Sequence, residues 1–123
     1  MNMDYSTHPT IVEYAVRECN KHKSPKAAAA ATQRKLAGSR NLLVGGGIEI
    51  VEIDEQQLEN QIRFRMAERV IKCIPKMNMD ASNAEDYLIG SILQEFGQKN
   101  TPKNAAQLKE AVNRAVSETQ SVR

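Results

Sequence analysis

The chain has 123 residues, a formal net charge of +2 and a hydrophobic fraction of 41%, which fit a folded domain and exclude wholesale disorder. No stretch approaches the roughly 20 apolar residues of a membrane span. The first residues also lack the basic-then-apolar pattern of a signal peptide. We therefore expect a cytoplasmic protein with no membrane partner, folded as a single domain over 1–123 with frayed termini at 1–9 and 118–123.

Two helices are predicted in the first third of the chain. Thr10 and Glu13 have the spacing of a capping box and precede an apolar face with helical periodicity, which predicts a helix over about 10–21. The segment 24–38 then combines a capping serine, Ser24, with five consecutive alanines and a final glycine. Alanine has the highest helix propensity, and an alanine face lets a second helix pack closely.

The stretch 39–54 reads SRNLLVGGGIEIVEID. Its three glycines are typical of a turn, because glycine readily takes positive φ. A phosphate-binding loop would need lysine and a hydroxyl residue after the last glycine, whereas Ile48 and Glu49 stand there. The apolar runs on either side of the glycines predict a short strand or hairpin over 42–53. Because an isolated hairpin is marginal, its strand at 48–53 is expected to pair with another strand, such as its own copy in a second chain.

A long third helix is predicted over 55–74, capped by Asp54. Residues 61–66 also alternate like a strand, but over 61–74 every polar side chain except Arg63 falls on one arc of a helical projection, which favours the helix. The remaining arc is unusually wide and apolar, as in a central or interface helix. The expected interface between copies combines this arc with the strand, at Ile62, Phe64, Ile71, Ile48 and Ile50.

The last third predicts two further helices. Ser82 and Glu85 again have capping-box spacing, which starts a helix running to about Phe96. The last helix is expected over about 102–117. The fold class is therefore α+β and mostly helical, with about five helices and one short strand or hairpin over 42–53.

Charge is distributed in blocks. Between Glu18 and Glu49 there is no acidic residue, and the basic residues there are Lys21, Lys23, Lys26, Arg34, Lys35 and Arg40. Such a run is the electrostatic signature of a nucleic-acid surface, and solvated helix faces are the alternative explanation. No aromatic residue lies within the segment to stack on a base.

Two DNA-binding motifs match parts of the chain superficially. A helix-turn-helix would use the turn formed by Leu36, Gly38, Ser39, Arg40 and Asn41, but its recognition helix would end at the glycines after about six residues. A ribbon-helix-helix matches the order strand, helix, helix. Its strand would turn acidic side chains toward the phosphates, however, which is unfavourable.

Catalytic and metal-binding patterns are weak. Cys19 and His22 lie one helical turn apart, but no second ligand pair completes a zinc site. Glu49, Glu52 and Asp54 favour a charged strand over a magnesium site, because no lysine or histidine supports them. We predict no cofactor and no metal.

The sequence favours a small non-enzymatic regulatory or inhibitory binding protein that acts through protein–protein contacts as a homo-oligomer, most simply a dimer. The alternative is a nucleic-acid-binding protein that uses segment 21–40 on backbone phosphates.

Overall fold

A computed structural model describes residues 3–38 and 51–121. These residues are mostly helical, as predicted, and their five α-helices are α1 (Pro9–His22), α2 (Pro25–Gly38), α3 (Glu55–Cys73), α4 (Ala81–Glu95) and α5 (Pro102–Ser121). A short 3-10 turn, Ile74–Lys76, follows α3. Two strands of two residues, β1 (Met3–Asp4) and β2 (Val51–Glu52), pair in parallel with Met3 opposite Val51.

The predicted hairpin over 42–53 is not seen in the part of the chain that the structure describes, so the β component of the fold class is not confirmed. Most of it, including Ile48, Ile50 and the glycine turn, lies outside the described residues. The described end, Val51–Glu52, pairs with Met3–Asp4 of the same chain, and the expected pairing between copies stays a prediction.

The chain divides into two compact units, residues 1–62 and 63–123, with the boundary inside α3. The single domain over 1–123 stays a prediction. In the first unit, α1 and α2 form a helical hairpin joined by Lys23 and Ser24. The helices run antiparallel, since Lys35 near the end of α2 lies over the ring of Tyr14 in the first half of α1.

The helix predicted over 55–74 is confirmed as α3, and the alternative strand over 61–66 is wrong. Its first turn is capped by Asp54, whose Oδ1 accepts hydrogen bonds from the backbone amides of Gln56 (3.0 Å) and Gln57 (3.2 Å). The backbone of Asp54 is held by Ser6, which is fully buried. The Ser6 hydroxyl accepts from the Asp54 amide at 2.8 Å and donates to its carbonyl at 3.3 Å.

In the second unit, α4 ends at Glu95, close to the predicted Phe96, and Gly97 follows its C-cap. Gly97 has φ of 76°, and the amide of Gln98 donates to the carbonyl of Leu93 at 2.8 Å. This closure of a helix end requires a left-handed residue, which glycine supplies at little cost. The core of this unit is aliphatic, as the composition predicts, and its buried side chains on α4 and α5 are Ala84, Leu88, Ile89, Ile92, Leu93, Leu108, Val112 and Ala115.

Candidate anion-binding surface

The α1–α2 hairpin is built around a face of small side chains. Five residues of α1 and α2, Ala15, Cys19, Ala28, Ala29 and Thr32, have no exposed surface. Thr32 satisfies its buried hydroxyl by donating to the carbonyl of Ala28 at 2.8 Å. Because such side chains project little, the helices approach closely and their long polar side chains are left on the outside.

The turn between the helices is fixed by two local interactions. Ser24 caps α2, as predicted, by accepting a hydrogen bond from the Ala27 amide at 3.0 Å. Lys23 ends α1 in a left-handed conformation with φ of 59°. The turn therefore holds the side chains of Lys21, Lys23 and Lys26 near the same end of the hairpin.

Five of the six basic residues predicted for an anionic partner lie on this hairpin and are exposed: Lys21, Lys23, Lys26, Arg34 and Lys35. The sixth, Arg40, lies outside the described residues. Of the ion pairs in the described part of the chain, none involves Lys23, Lys26 or Arg34. Their charges therefore remain available to an external partner.

Glu18 interrupts the basic pattern in the sequence but not on the surface. Its side chain is only 6% exposed and lies 3.2 Å from the Lys21 ammonium and 3.9 Å from Nε2 of His22. With Glu18 buried, Arg17 becomes continuous with Lys21, one helical turn away on the same side of α1. Arg17 is exposed and was not among the predicted residues. Arg17 lies four positions before Lys21 on the same helix, and this spacing in the sequence could have identified it as part of the surface.

On α2, Lys26 and Arg34 point to the same side. They are eight positions apart, a rise of about 12 Å and a rotation of about 80° for an α-helix. Between them lies Ala30, half-buried and too short to obstruct a partner. We call the exposed bases of the hairpin, including Lys35, the basic hairpin surface: Arg17, Lys21, Lys23, Lys26, Arg34 and Lys35.

Lys35 is held by a neighbour on α1. Its ammonium lies 5.7 Å from the centre of the Tyr14 ring. The pKa of Lys35 lies above its ordinary value of 10.5, because the Tyr14 side chain hydrogen-bonds the ammonium and because Tyr14 and Glu18 attract its charge. Lys35 therefore keeps its positive charge well above neutral pH. Tyr14, half-buried beside it, is not presented to solvent as a stacking platform.

The residues predicted for a contact between copies have different environments. Ile62 has no exposed surface in the single chain. The chain's own residues already cover it, so it offers no free apolar surface to a copy. Phe64 and Ile71 are half-buried. They are seven positions apart on α3 and therefore lie on one side of it.

The surface of the second unit differs from the basic hairpin surface in two ways. Exposed bases there lie among exposed acids, as in the 2.6 Å ion pair between Arg69 and Glu95. Among the described residues, the large apolar side chains left exposed are all in this unit: Met79 (47%), Tyr87 (62%) and Val116 (38%). Apolar contact with a partner is therefore offered by the second unit, and charge by the first.

Residues 3–38 and 51–121 contain no group of three His, Cys, Asp or Glu side chains that could hold a metal ion. Within the same ranges, no helix is long and apolar enough to cross a membrane. The two cysteines are reduced, Cys19 buried and Cys73 half-buried.

The chain matches no protein-family model, no curated protein and no solved structure.

Proposed function

We propose that this chain is a small non-enzymatic regulatory binding protein that acts by holding an anionic macromolecule on its basic hairpin surface. One observation carries the proposal. Six basic side chains are exposed on the hairpin, five on α1 and α2 and Lys23 in the turn between them, whereas of the two carboxylates on these helices Glu18 is buried and Glu13 alone is exposed. A patch of one sign attracts a partner of the opposite sign, raises the rate of encounter and sets its orientation.

The other acids of the first unit whose side chains the structure describes lie outside α1 and α2. Asp54 and Glu55 are exposed at the start of α3, and Glu59 is buried there. The Asp54 carboxylate is engaged by the amides of its own helix. The exposed charge of the hairpin itself is thus strongly positive, although the net charge of the whole chain is only +2.

The proposal is tested by co-purification with charge-reversed variants. A tagged chain is recovered from cells that express it, beside the variant Lys26→Glu/Arg34→Glu/Lys35→Glu. All three residues are exposed on α2, so the variant should keep its helical circular dichroism. We expect the anionic macromolecule that accompanies the native chain to be lost from this variant.

The matched control is Lys99→Glu/Lys103→Glu/Lys109→Glu, which makes the same charge change at exposed positions of the second unit. This control should retain the partner, since its substitutions belong to the second unit and leave every residue of the hairpin unchanged. Retention of the partner by the α2 variant, or equal loss from both variants, would contradict the proposal. Equal loss would mean that total charge matters and the hairpin does not.

A protein–protein contact through the second unit is a second candidate function, favoured by the exposure of Tyr87. Tyrosine is enriched at the energetic centres of protein interfaces, because it offers a large apolar area and a polar end. At 62% exposure on α4, Tyr87 leaves most of its surface uncovered by the described residues. Tyr87→Ala should weaken capture of a protein partner at least tenfold, with Ser91→Ala on the same helix as the control. Unchanged capture would remove this candidate.

Self-association is also proposed, now through Phe64 and Ile71 without Ile62. Both side chains keep part of their apolar surface exposed in the single chain, and burying that surface would favour a dimer. Light scattering after size exclusion should show a dimer that Phe64→Ser/Ile71→Ser converts to a monomer. A native chain that is monomeric at high micromolar concentration would refute it.

A further inference from the structure

We propose that the partner of the basic hairpin surface is double-stranded DNA, held through its phosphate backbone without reading of the bases. This inference rests on the proposed function and names the chemical class of the partner. It commits to a duplex. An acidic protein or a single strand is then a separate outcome of the test.

The composition of the surface favours phosphates over a protein partner. Protein interfaces that bind strongly contain buried aromatic or aliphatic anchors surrounded by a polar rim. In the described part of the chain, the large apolar side chains that are exposed are Met79, Tyr87 and Val116. None of them lies within residues 5–35, which carry the basic hairpin surface. A surface that offers only charge recognises the partner with the densest opposite charge, and a DNA duplex carries one negative charge per ~1.7 Å of its axis.

The spacing of the bases favours a duplex over a single strand. Proteins that hold single strands stack the bases on exposed aromatic rings, and Tyr14, the aromatic residue of α1, is half-buried beside Lys35. Lys26 and Arg34 are separated by about 12 Å along α2, close to the ~12 Å width of the major groove between the two phosphate backbones. These two side chains can therefore meet phosphates of both strands.

The salt dependence of binding gives the expected magnitude. If Arg17, Lys23, Lys26 and Arg34 each neutralise one phosphate, log K falls with log salt with a slope of about −3.6. Affinity then drops roughly 150-fold between ~50 and ~200 mM salt. Removing two of the four contacts changes the slope to about −1.8 and the loss to roughly 12-fold.

The experiment is a fluorescence-anisotropy titration of the full chain at several salt concentrations. The probes are two duplexes of unrelated sequence, the single strands from one of them, a double-stranded RNA and poly-glutamate. The test variant is Lys26→Gln/Arg34→Gln. Its control is Lys103→Gln/Lys109→Gln, two exposed positions of α5, and circular dichroism establishes that each variant is folded.

We expect both duplexes to bind equally and more tightly than the other probes. For the native chain and the control, log K should fall with log salt with the slope of about −3.6. The slope of the test variant should be reduced by about 1.8, since each lost phosphate contact removes ~0.9. A test variant with the native slope overturns the assignment. Tighter binding of RNA, of single strands or of poly-glutamate overturns the duplex as partner while the anionic-partner proposal stands. Failure of every probe at low salt overturns both.

Discussion

The substitution Ser6→Ala tests how the N-terminal segment is tied to the start of α3. It removes the hydroxyl that bonds both the amide and the carbonyl of Asp54, at 2.8 and 3.3 Å. A neutral hydrogen bond contributes about 1 kcal/mol, and leaving a buried group without its partner adds about as much. The longer bond contributes less. We therefore expect the free energy of unfolding to fall by about 2 kcal/mol.

The assay is urea unfolding followed by helical circular dichroism. With an m-value of about 2 kcal/mol/M, the loss lowers the midpoint by about 1 M urea. Ser91→Ala on the exposed side of α4 is the control and should stay within ~0.5 kcal/mol of the native chain. A Ser6→Ala midpoint that matches this control would refute the stabilising role of the Ser6 hydroxyl.

Four more predictions follow from described contacts. Asp54→Ala should cost about 1 kcal/mol of unfolding free energy in the same urea assay, whereas Asp80→Ala should cost much less, because Asp80 begins α4 without a side-chain capping bond; equal costs would contradict this. Ala29→Leu should cost about 1–3 kcal/mol, because Ala29 is fully buried where the hairpin helices meet, and a smaller cost at the half-buried neighbour Ala30 is the control. Tyr14→Phe should lower the pKa of Lys35 toward 10.5, as measured by NMR titration of its side chain, because the hydrogen bond to Tyr14 is the main cause of the raised value. The pKa of Lys35 is higher in the folded than in the unfolded chain, so the stabilisation that its contact with Tyr14 gives the fold is complete below pH 10.5 and disappears as the pH rises through the folded-state pKa. A Lys35 pKa that Tyr14→Phe leaves unchanged would exclude the hydrogen bond. A thiol reagent should label Cys73 quickly and Cys19 only on unfolding, because Cys19 has no exposed surface, and loss of the fast phase in Cys73→Ser would confirm the assignment.

Helix positions could be predicted well, because the signals that place them are local. Ser24 and Asp54 cap their helices as predicted. Two capping boxes failed for a common reason: another residue starts the helix earlier. His8 caps α1 by accepting from the Thr10 amide at 3.2 Å, and α4 begins at Ala81 after Asp80, ahead of the predicted Ser82. Spacing alone does not decide between cap residues that lie two positions apart.

Contacts between distant residues could not be predicted, because periodicity does not reveal which element covers a face. The pairing of Met3–Asp4 with Val51–Glu52 joins segments 48 positions apart, and no local pattern in the sequence indicates it. Ile62 lies on a wide apolar arc that indicated an interface, and it is buried within the chain itself. For the candidate surface, the run of bases was visible in the sequence. The burial of Glu18, which adds Arg17 to that surface, depends on the fold.

The most direct test of the central claim is to follow the backbone amide NMR spectrum of the native chain as a short DNA duplex is added. We predict that the shifted amides lie on α1 and α2, centred on the exposed turns around Arg17, Lys26 and Arg34. Shifts concentrated on α4 and α5, or a spectrum that does not change at low salt, would contradict the claim that the basic hairpin surface holds the partner.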